Sequence, residues 1–259
     1  MYEAERKRKI MEILNETLRV DVQSLNQWLG VSESTIRRDL KELEEANLLK
    51  RTHGGAILPQ NVNFEPTFLE KEISRGEAKK AIAAKAAELV REGDVILLDS
   101  GTTMLYLAKE LKRFRKLTVV TNAIPVAQEL HAFDGIELIV IGGSLRKGIW
   151  SLVGPFAEQI LGMIHVDTAF VGTNAIHPEA GLSTPNVDEA SIKRKMIASA
   201  KKTVLLADSS KIGEVNLVKY AALSEIDTFV TDDEASEDGL KELAAKGLKI
   251  EAVVCRGSN

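Results

Sequence analysis

The sequence predicts a mixed α/β chain in two parts: a small, mostly helical N-terminal module and a larger α/β domain on a largely parallel sheet. Three observations carry this. Up to about Ile57 the apolar residues recur at helical spacing, without alternating strands and helices. Beyond Arg75, short and continuously apolar runs alternate with helical patterns, as expected of strands covered on both faces. Between them, 58–74 is broken by Pro59, Asn61, Asn63 and Pro66 and reads as a linker, with one short helix near Phe68-Leu69-Glu70-Lys71-Glu72. The expected organisation is 1–57, 58–74 and 75–259, and 259 residues supply ample core for it.

In the N-terminal module, Ile10, Ile13, Leu14 and Leu18 share one face of a first helix. Val22, Leu25 and Leu29 do so in a second, and Gly30 suits a left-handed stop after it. Ser32 is a good N-cap for a third helix, with Glu33 near its positive end. Ile36, Leu40 and Leu43 form that helix's inner face. Lys50-Arg51-Thr52-His53-Gly54-Gly55-Ala56-Ile57 then reads as a small hairpin with a glycine turn.

Three short helices plus a hairpin is the layout of a winged helix-turn-helix. At about 100° per residue, Ser34, Arg38 and Lys41 point away from the inner face of the third helix, with Thr35 and Arg37 on its flanks. Arginine bonds guanine edges in bidentate fashion or clamps phosphates, and hydroxyls beside helix-start N–H groups suit phosphates. The hairpin adds Lys50, Arg51 and His53, with Gly54 and Gly55 allowing close backbone approach to DNA. The alternative for such a segment is a helical protein-interaction domain with a solvated charged face.

In the C-terminal domain, strands are expected at Val95–Asp99, Leu117–Thr121, Ile136–Ile141, Thr168–Gly172, Thr203–Ala207, Thr228–Thr231 and Lys249–Val254. Helical patterns include Lys79–Arg91, Met104–Lys112, Ala123–Phe133 and Asp188–Ala200. Asp99-Ser100-Gly101-Thr102-Thr103 follows the first strand and opens a helix, so hydroxyls and helix-start N–H groups can cradle a phosphate there. Thr121-Asn122, Gly142-Gly143 with Arg146, Gly172 and Asp208 through Lys211 follow later strands. In a parallel sheet these loops gather along one edge, where their polar groups suit an anionic, hydroxyl-rich ligand such as a sugar phosphate. Glu189 and Lys193 lie one helical turn apart, so an i,i+4 salt bridge is the plain expectation for Lys193.

Composition narrows the partners. The net charge is −4, and residues 1–57 hold ten basic and ten acidic residues, so the acidity belongs to the C-terminal part. That excludes a polybasic coat while leaving room for a local, patterned DNA contact. Aromatics are only 5%, too few for stacking platforms to dominate single-strand binding. One cysteine, Cys255, permits no intrachain disulfide, and the four histidines show no metal-ligand spacing. The apolar runs are too short to cross a bilayer and the N-terminus is amphipathic, so a cytoplasmic protein without membrane partner is expected.

Val31-Ser32-Glu33-Ser34-Thr35-Ile36-Arg37-Arg38-Asp39-Leu40 and Arg51-Thr52-His53-Gly54-Gly55-Ala56 resemble the signature of the DeoR family of bacterial transcriptional repressors. Arg6, Ile10, Ile13-Leu14 and Leu25 through Leu29 fit that pattern, and the resemblance spans nearly the whole chain. It implies a C-terminal Rossmann-like domain similar to the ribose-5-phosphate isomerase and CoA-transferase fold. It further implies a homo-oligomer, dimer or tetramer, that binds double-stranded operator DNA of a carbohydrate operon and is released by a phosphorylated sugar. Matching positions are Asp99 through Thr103, Thr121-Asn122, Gly142-Gly143, Gly172, Gly181, Glu189, Asp208 and Lys211. Family members often carry a second glycine shortly after Gly172, where this chain has Thr173-Asn174-Ala175. An enzyme is the alternative, with Asp99, Glu189 and Asp208 as acid/base carboxylates. Without the isomerases' Lys- and Gly-rich loop, the expectation is a sensor with no catalytic residues, cofactor or metal.

Overall fold

A computed structural model describes residues 2–46, 48–52, 54–58 and 65–255. The chain forms two compact units, divided between Pro66 and Thr67.

The first unit contains α1 (Glu3–Thr17), β1 (Arg19–Asp21), α2 (Val22–Leu29), α3 (Glu33–Glu45), β2 (Lys50–Thr52) and β3 (Gly55–Ile57). Ile10, Leu14, Leu25, Ile36, Leu40 and Leu43 meet in one core, as their spacing requires. Leu18 departs from its expected place. It is more than half exposed and ends α1 in a left-handed conformation (φ 62°), its N–H donating to Leu14 O, so the buried stripe stops at Leu14. Gly30 takes the left-handed stop after α2 (φ 65°), and the Ser32 side chain caps α3 by accepting from Thr35 N. The hairpin gains a strand that the periodicity did not indicate: the sheet order is β1-β3-β2, all antiparallel.

The second unit begins with α4 (Phe68–Ile73), whose Thr67 and Glu70 form a reciprocal capping box. Residues 67–74, read from sequence as linker, therefore belong to the folded unit. There follow α5 (Gly76–Ala87), β4 (Val95–Leu98), α6 (Thr102–Leu111), β5 (Leu117–Thr121), α7 (Ile124–Leu130) and β6 (Ile136–Val140). A hairpin, β7 (Ser144–Arg146) and β8 (Ser151–Val153), leads to α8 (Pro155–Leu161) and β9 (Val166–Gly172). Then come β10 (Ala175–His177), β11 (Gly181–Thr184), α9 (Val187–Ala198), β12 (Ala200–Leu206), β13 (Val218–Ala221), β14 (Thr228–Asp232), α10 (Glu237–Ala245) and β15 (Lys249–Val253).

The central sheet has seven strands in the order β15-β14-β12-β9-β4-β5-β6, each neighbouring pair parallel. Ile96 and Leu98 of β4 pack into one core with α5, α6 and α7, while Leu97 packs into a second with α8, α9 and α10. That two-sided burial is why these strands read as continuous apolar runs. β10, β11 and β13 form a separate antiparallel sheet. The strand order changes direction between β4 and β9, and the crevice outside the carboxyl ends at such a switch point is where ligands sit in open α/β sheets.

Candidate functional site

In the first unit, Ser34, Arg37, Arg38 and Lys41 are exposed on α3, and Thr35 is half-buried. Ser32 Oγ lies 2.9 Å from both Ser34 Oγ and Thr35 Oγ1, so three hydroxyls cluster at the helix start. Arg37 pairs with Glu33 at 3.2 Å and Lys41 with Glu45 at 3.7 Å, both one turn apart and exposed. Such pairs contribute only about 0.3–0.5 kcal/mol, less than the roughly 1–3 kcal/mol of a good base contact, so DNA can recruit these side chains. Arg51 is held by Glu44, which accepts from its Nε (2.8 Å) and its backbone N–H (2.7 Å). Lys50 is exposed, and His53 lies outside the described residues.

Gly54 is half-buried and Gly55 buried, and Gly55 is needed for a reason other than DNA approach. A Cβ there would lie 1.8 Å from Val20 O, so the glycine lets β3 close onto β1. Behind α3, Asp39 is fully buried and accepts from Arg6 Nε and, at 2.9 Å, from Arg6 Nη2. This bidentate pair joins α1 to the back of α3.

In the second unit, Asp99 and Gly172 sit side by side at the switch point. Asp99 Oδ2 accepts from Gly172 N at 3.0 Å and Oδ1 from Ser100 N at 2.7 Å. Lys193 pairs with Asp99 and donates to Gly172 O at 2.9 Å, and Tyr220 Oη donates to the same carbonyl at 3.1 Å. Burial alone would lower the Lys193 pKa, but Asp99, Tyr220 and Glu189 reverse this and hold the ammonium above its ordinary value. Burial pushes the Tyr220 phenol up to about 12. The expected Glu189–Lys193 bridge is thus absent: the two side chains share a helix face but turn to different strands. Glu189 is buried, pairs with Arg146 at 3.1 Å and accepts from Ser151 Oγ at 3.3 Å.

Asp99 is therefore spent internally, and so is Thr121, whose buried hydroxyl donates to Leu98 O (2.8 Å) and accepts from Ala123 N (3.1 Å). Asn122 Nδ2 donates to Leu152 O at 3.0 Å, whereas its buried Oδ1 has no hydrogen-bond partner among the described residues. Ser100, Gly101 and Thr103 remain partly accessible beside buried Thr102, with Gly101 at φ 120° opening α6. Gly142 and Gly143 are exposed; a Cβ at Gly143 would lie 2.6 Å from Val153 O. The substitution after Gly172 costs nothing in backbone terms: Ala175 lies in β10, and Thr173 Oγ1 accepts from its N–H and donates to its carbonyl.

At the ends of β12 and β14, Asp208 accepts from Ser210 Oγ at 2.5 Å. Burial raises its pKa, but Lys211, Ser210, Lys79 and Arg75 together hold it below the usual carboxylate value. Sequence reading missed Arg75, which donates to Ser209 Oγ (2.8 Å) and lies 3.7 Å from Asp208 and 3.8 Å from Asp232. It also missed Lys79 and Tyr220, and it gave Lys193 the wrong partner. Only a lysine on an otherwise apolar helix face, as at Lys79, offered a signal.

Residues 6–62 match the DeoR-like helix-turn-helix domain and residues 74–233 the DeoR C-terminal sensor domain. The chain belongs to the DeoR family. This DeoR-family regulator is 42% identical to the HTH-type transcriptional regulator GlpR of Haloferax volcanii, over 99% of this chain and 100% of that protein. It is 38% identical to the HTH-type transcriptional repressor GlcR of Bacillus subtilis, over 90% of this chain and 89% of that one. Both matched domains and these relatives mark it as a transcriptional regulator. Among solved structures, ribose 5-phosphate isomerase A of Methanocaldococcus jannaschii aligns at 22% identity and TM-score 0.40, covering 53% of this chain and 55% of that one. So weak a likeness bears on neither activity nor substrate. Among the described residues, no helix of the regulator is long and apolar enough to cross a membrane.

Proposed function

We propose that this DeoR-family regulator represses an operon of sugar or carbohydrate metabolism and is released from its operator by a phosphorylated sugar. The observation that carries the reading is the paired architecture: an exposed hydroxyl-and-arginine start on α3 in one unit, and a hydroxyl-bearing loop, Ser100 through Thr103, at the switch point of the other. Ser34, Thr35, Arg37 and Arg38 enter the major groove, while Lys41, Lys50, Arg51, His53 and Gly54 attend the backbone. The protein acts in the cytoplasm as a homo-oligomer on symmetric half-sites. The Bacillus subtilis relative's name, a repressor, favours repression over activation.

Ser100 through Thr103 take the phosphate, with Lys211 and Arg146 as cations and Asn122 Oδ1 as an acceptor for a sugar hydroxyl. Asp99, Gly172 and Thr121 shape this site from behind, and Gly142, Gly143, Glu189 and Asp208 border it. Ligand and DNA are coupled through different affinities for two arrangements, typically by about 1–3 kcal/mol.

Two substitutions test the halves separately. Arg38→Ala should weaken operator binding by roughly 1–3 kcal/mol at fixed salt if Arg38 reads a base. Unchanged affinity in a titration of selected operator DNA removes it from the interface. Thr103→Glu should abolish sugar-phosphate binding by charge repulsion while leaving DNA binding intact. A normal calorimetric isotherm for that variant moves the site elsewhere.

A further inference from the structure

We propose that α4 carries the state of the sensor site along the chain toward the DNA-reading unit, and that Trp150 is the residue through which Arg146 reaches it. The inference rests on the sensor reading above for what occupies the site, but not for the relay itself. α4 starts at Phe68, one residue past the first residue of the second unit, so any influence passing along the chain traverses it.

The start of α4 is held by the β7–β8 loop of the candidate sensor site, and its end by Lys79 of α5, next to Arg75, which reaches the loop after β12. At its start, Phe68 N donates to Gly148 O at 2.8 Å, and the buried Phe68 ring stacks on Trp150, centroids 5.2 Å apart and planes 18° from parallel. Trp150 N donates to Arg146 O at 2.8 Å, and Trp150 O accepts from Ile124 N at 3.1 Å. It is thus tied to Arg146 on one side and to the loop after β5 on the other. At the far end, Lys79 Nζ donates to Lys71 O and to Ser74 O (2.5 Å), and Arg75 donates to Ser209 Oγ in the loop after β12.

Backbone strain marks the same two places. Trp150 and Arg75 both have φ 53°, and among the described residues of the second unit they are the two non-glycine residues with positive φ. A bulky side chain adopts that conformation only when its surroundings over-determine it, and such strain collects at switching segments.

The relay needs no new chemistry. An anion near Arg146 competes with Glu189 for the guanidinium. Arg146 O also accepts from Ile149 N at 3.3 Å, so Arg146 and Trp150 move as one tight turn. A shift of that turn changes the Phe68–Trp150 stack and the first turn of α4.

The test uses the full chain and two readouts. Operator DNA is selected from a random duplex library, and glucose 6-phosphate, fructose 6-phosphate, ribose 5-phosphate and glycerol 3-phosphate are the ligand probes. For whichever probe binds, wild type should lose about 5–150-fold in operator affinity at saturation. Trp150→Ala should bind the probe within about twofold of wild type yet lose less than about twofold in operator affinity. Retention of the full wild-type ratio overturns the relay. The second readout needs no ligand: in Arg146→Ala, amide exchange at Phe68 and Lys71 should quicken roughly tenfold, as in Trp150→Ala. Unchanged exchange in α4 overturns the relay even if no probe binds. Failure of every probe to bind wild type counts against the sensor reading alone, and the exchange result still decides the relay.

Discussion

Replacing Asp39 by Ala is expected to destabilise the DNA-reading unit by about 3–5 kcal/mol, because it leaves the Arg6 guanidinium buried without its counter-ion. Arg6 is only 6% exposed and Asp39 0%, so water cannot rescue either group. Two bonds from the guanidinium fork to one carboxylate fix the angle of α1 against α3. A domain of this size has few kilocalories to lose. Hydrogen exchange across residues 3–57 should show protection of α1 and α3 collapsing, operator binding should vanish with it, and the second unit should be unchanged. Replacing both partners by apolar residues, Arg6→Met with Asp39→Leu, should recover most of the loss, since a packed apolar pair avoids desolvating two charges. If Asp39→Ala unfolds within about 1 kcal/mol of wild type, the pair is not what holds the reading helix in place.

Lys193→Met should have a comparable effect on the second unit. The substitution keeps much of the side-chain volume but strands the buried Asp99 carboxylate and removes a donor from Gly172 O, at a cost of about 3–5 kcal/mol. Asp99 directly follows β4 and Gly172 terminates β9, so the loss falls on the seam where the sheet changes direction. Urea unfolding of the second unit should shift to a lower midpoint, and the sugar-phosphate binding proposed above should weaken with it, because Asp99 directly precedes the Ser100–Thr103 loop. Because the Lys193 ammonium is held above its ordinary value of 10.5, the pair's contribution is complete below that pH and is withdrawn only as pH climbs past it. No fall in stability across the neutral range is expected from this pair. A midpoint unchanged by Lys193→Met would mean that Asp99 is adequately served by Gly172 N and Ser100 N alone.

These two pairs also show where sequence reasoning reached its limit. Ile36, Leu40 and Leu43 could be placed inward because a helix repeats every 3.6 residues, and Ser32 announced the cap of α3. Asp39 lies between the exposed Arg38 and the buried Leu40, and no local rule says that its carboxylate turns inward to meet a residue 33 positions earlier. The same holds for Lys193, 94 positions from Asp99, where the i,i+4 spacing pointed instead to Glu189. Spacing gives the face of a helix but not the partner across it. β1, β7, β8 and β10 escaped because three-residue strands carry too little alternation to stand out.

For this regulator the sequence by itself determined the two-part organisation, the order of helices and main strands, and the loops that follow the parallel strands. All of these follow from periodicity, capping and the need to bury apolar runs on two faces. Only the tertiary structure decided which polar groups in those loops are free to act. It committed Asp99 and Thr121 to internal bonds, gave Glu189 to Arg146, and brought Arg75 and Lys79 to the loop after β12. The physical reason is that a buried charge or hydroxyl must find a partner in space, and that partner is set by how the strands stack, not by distance along the chain.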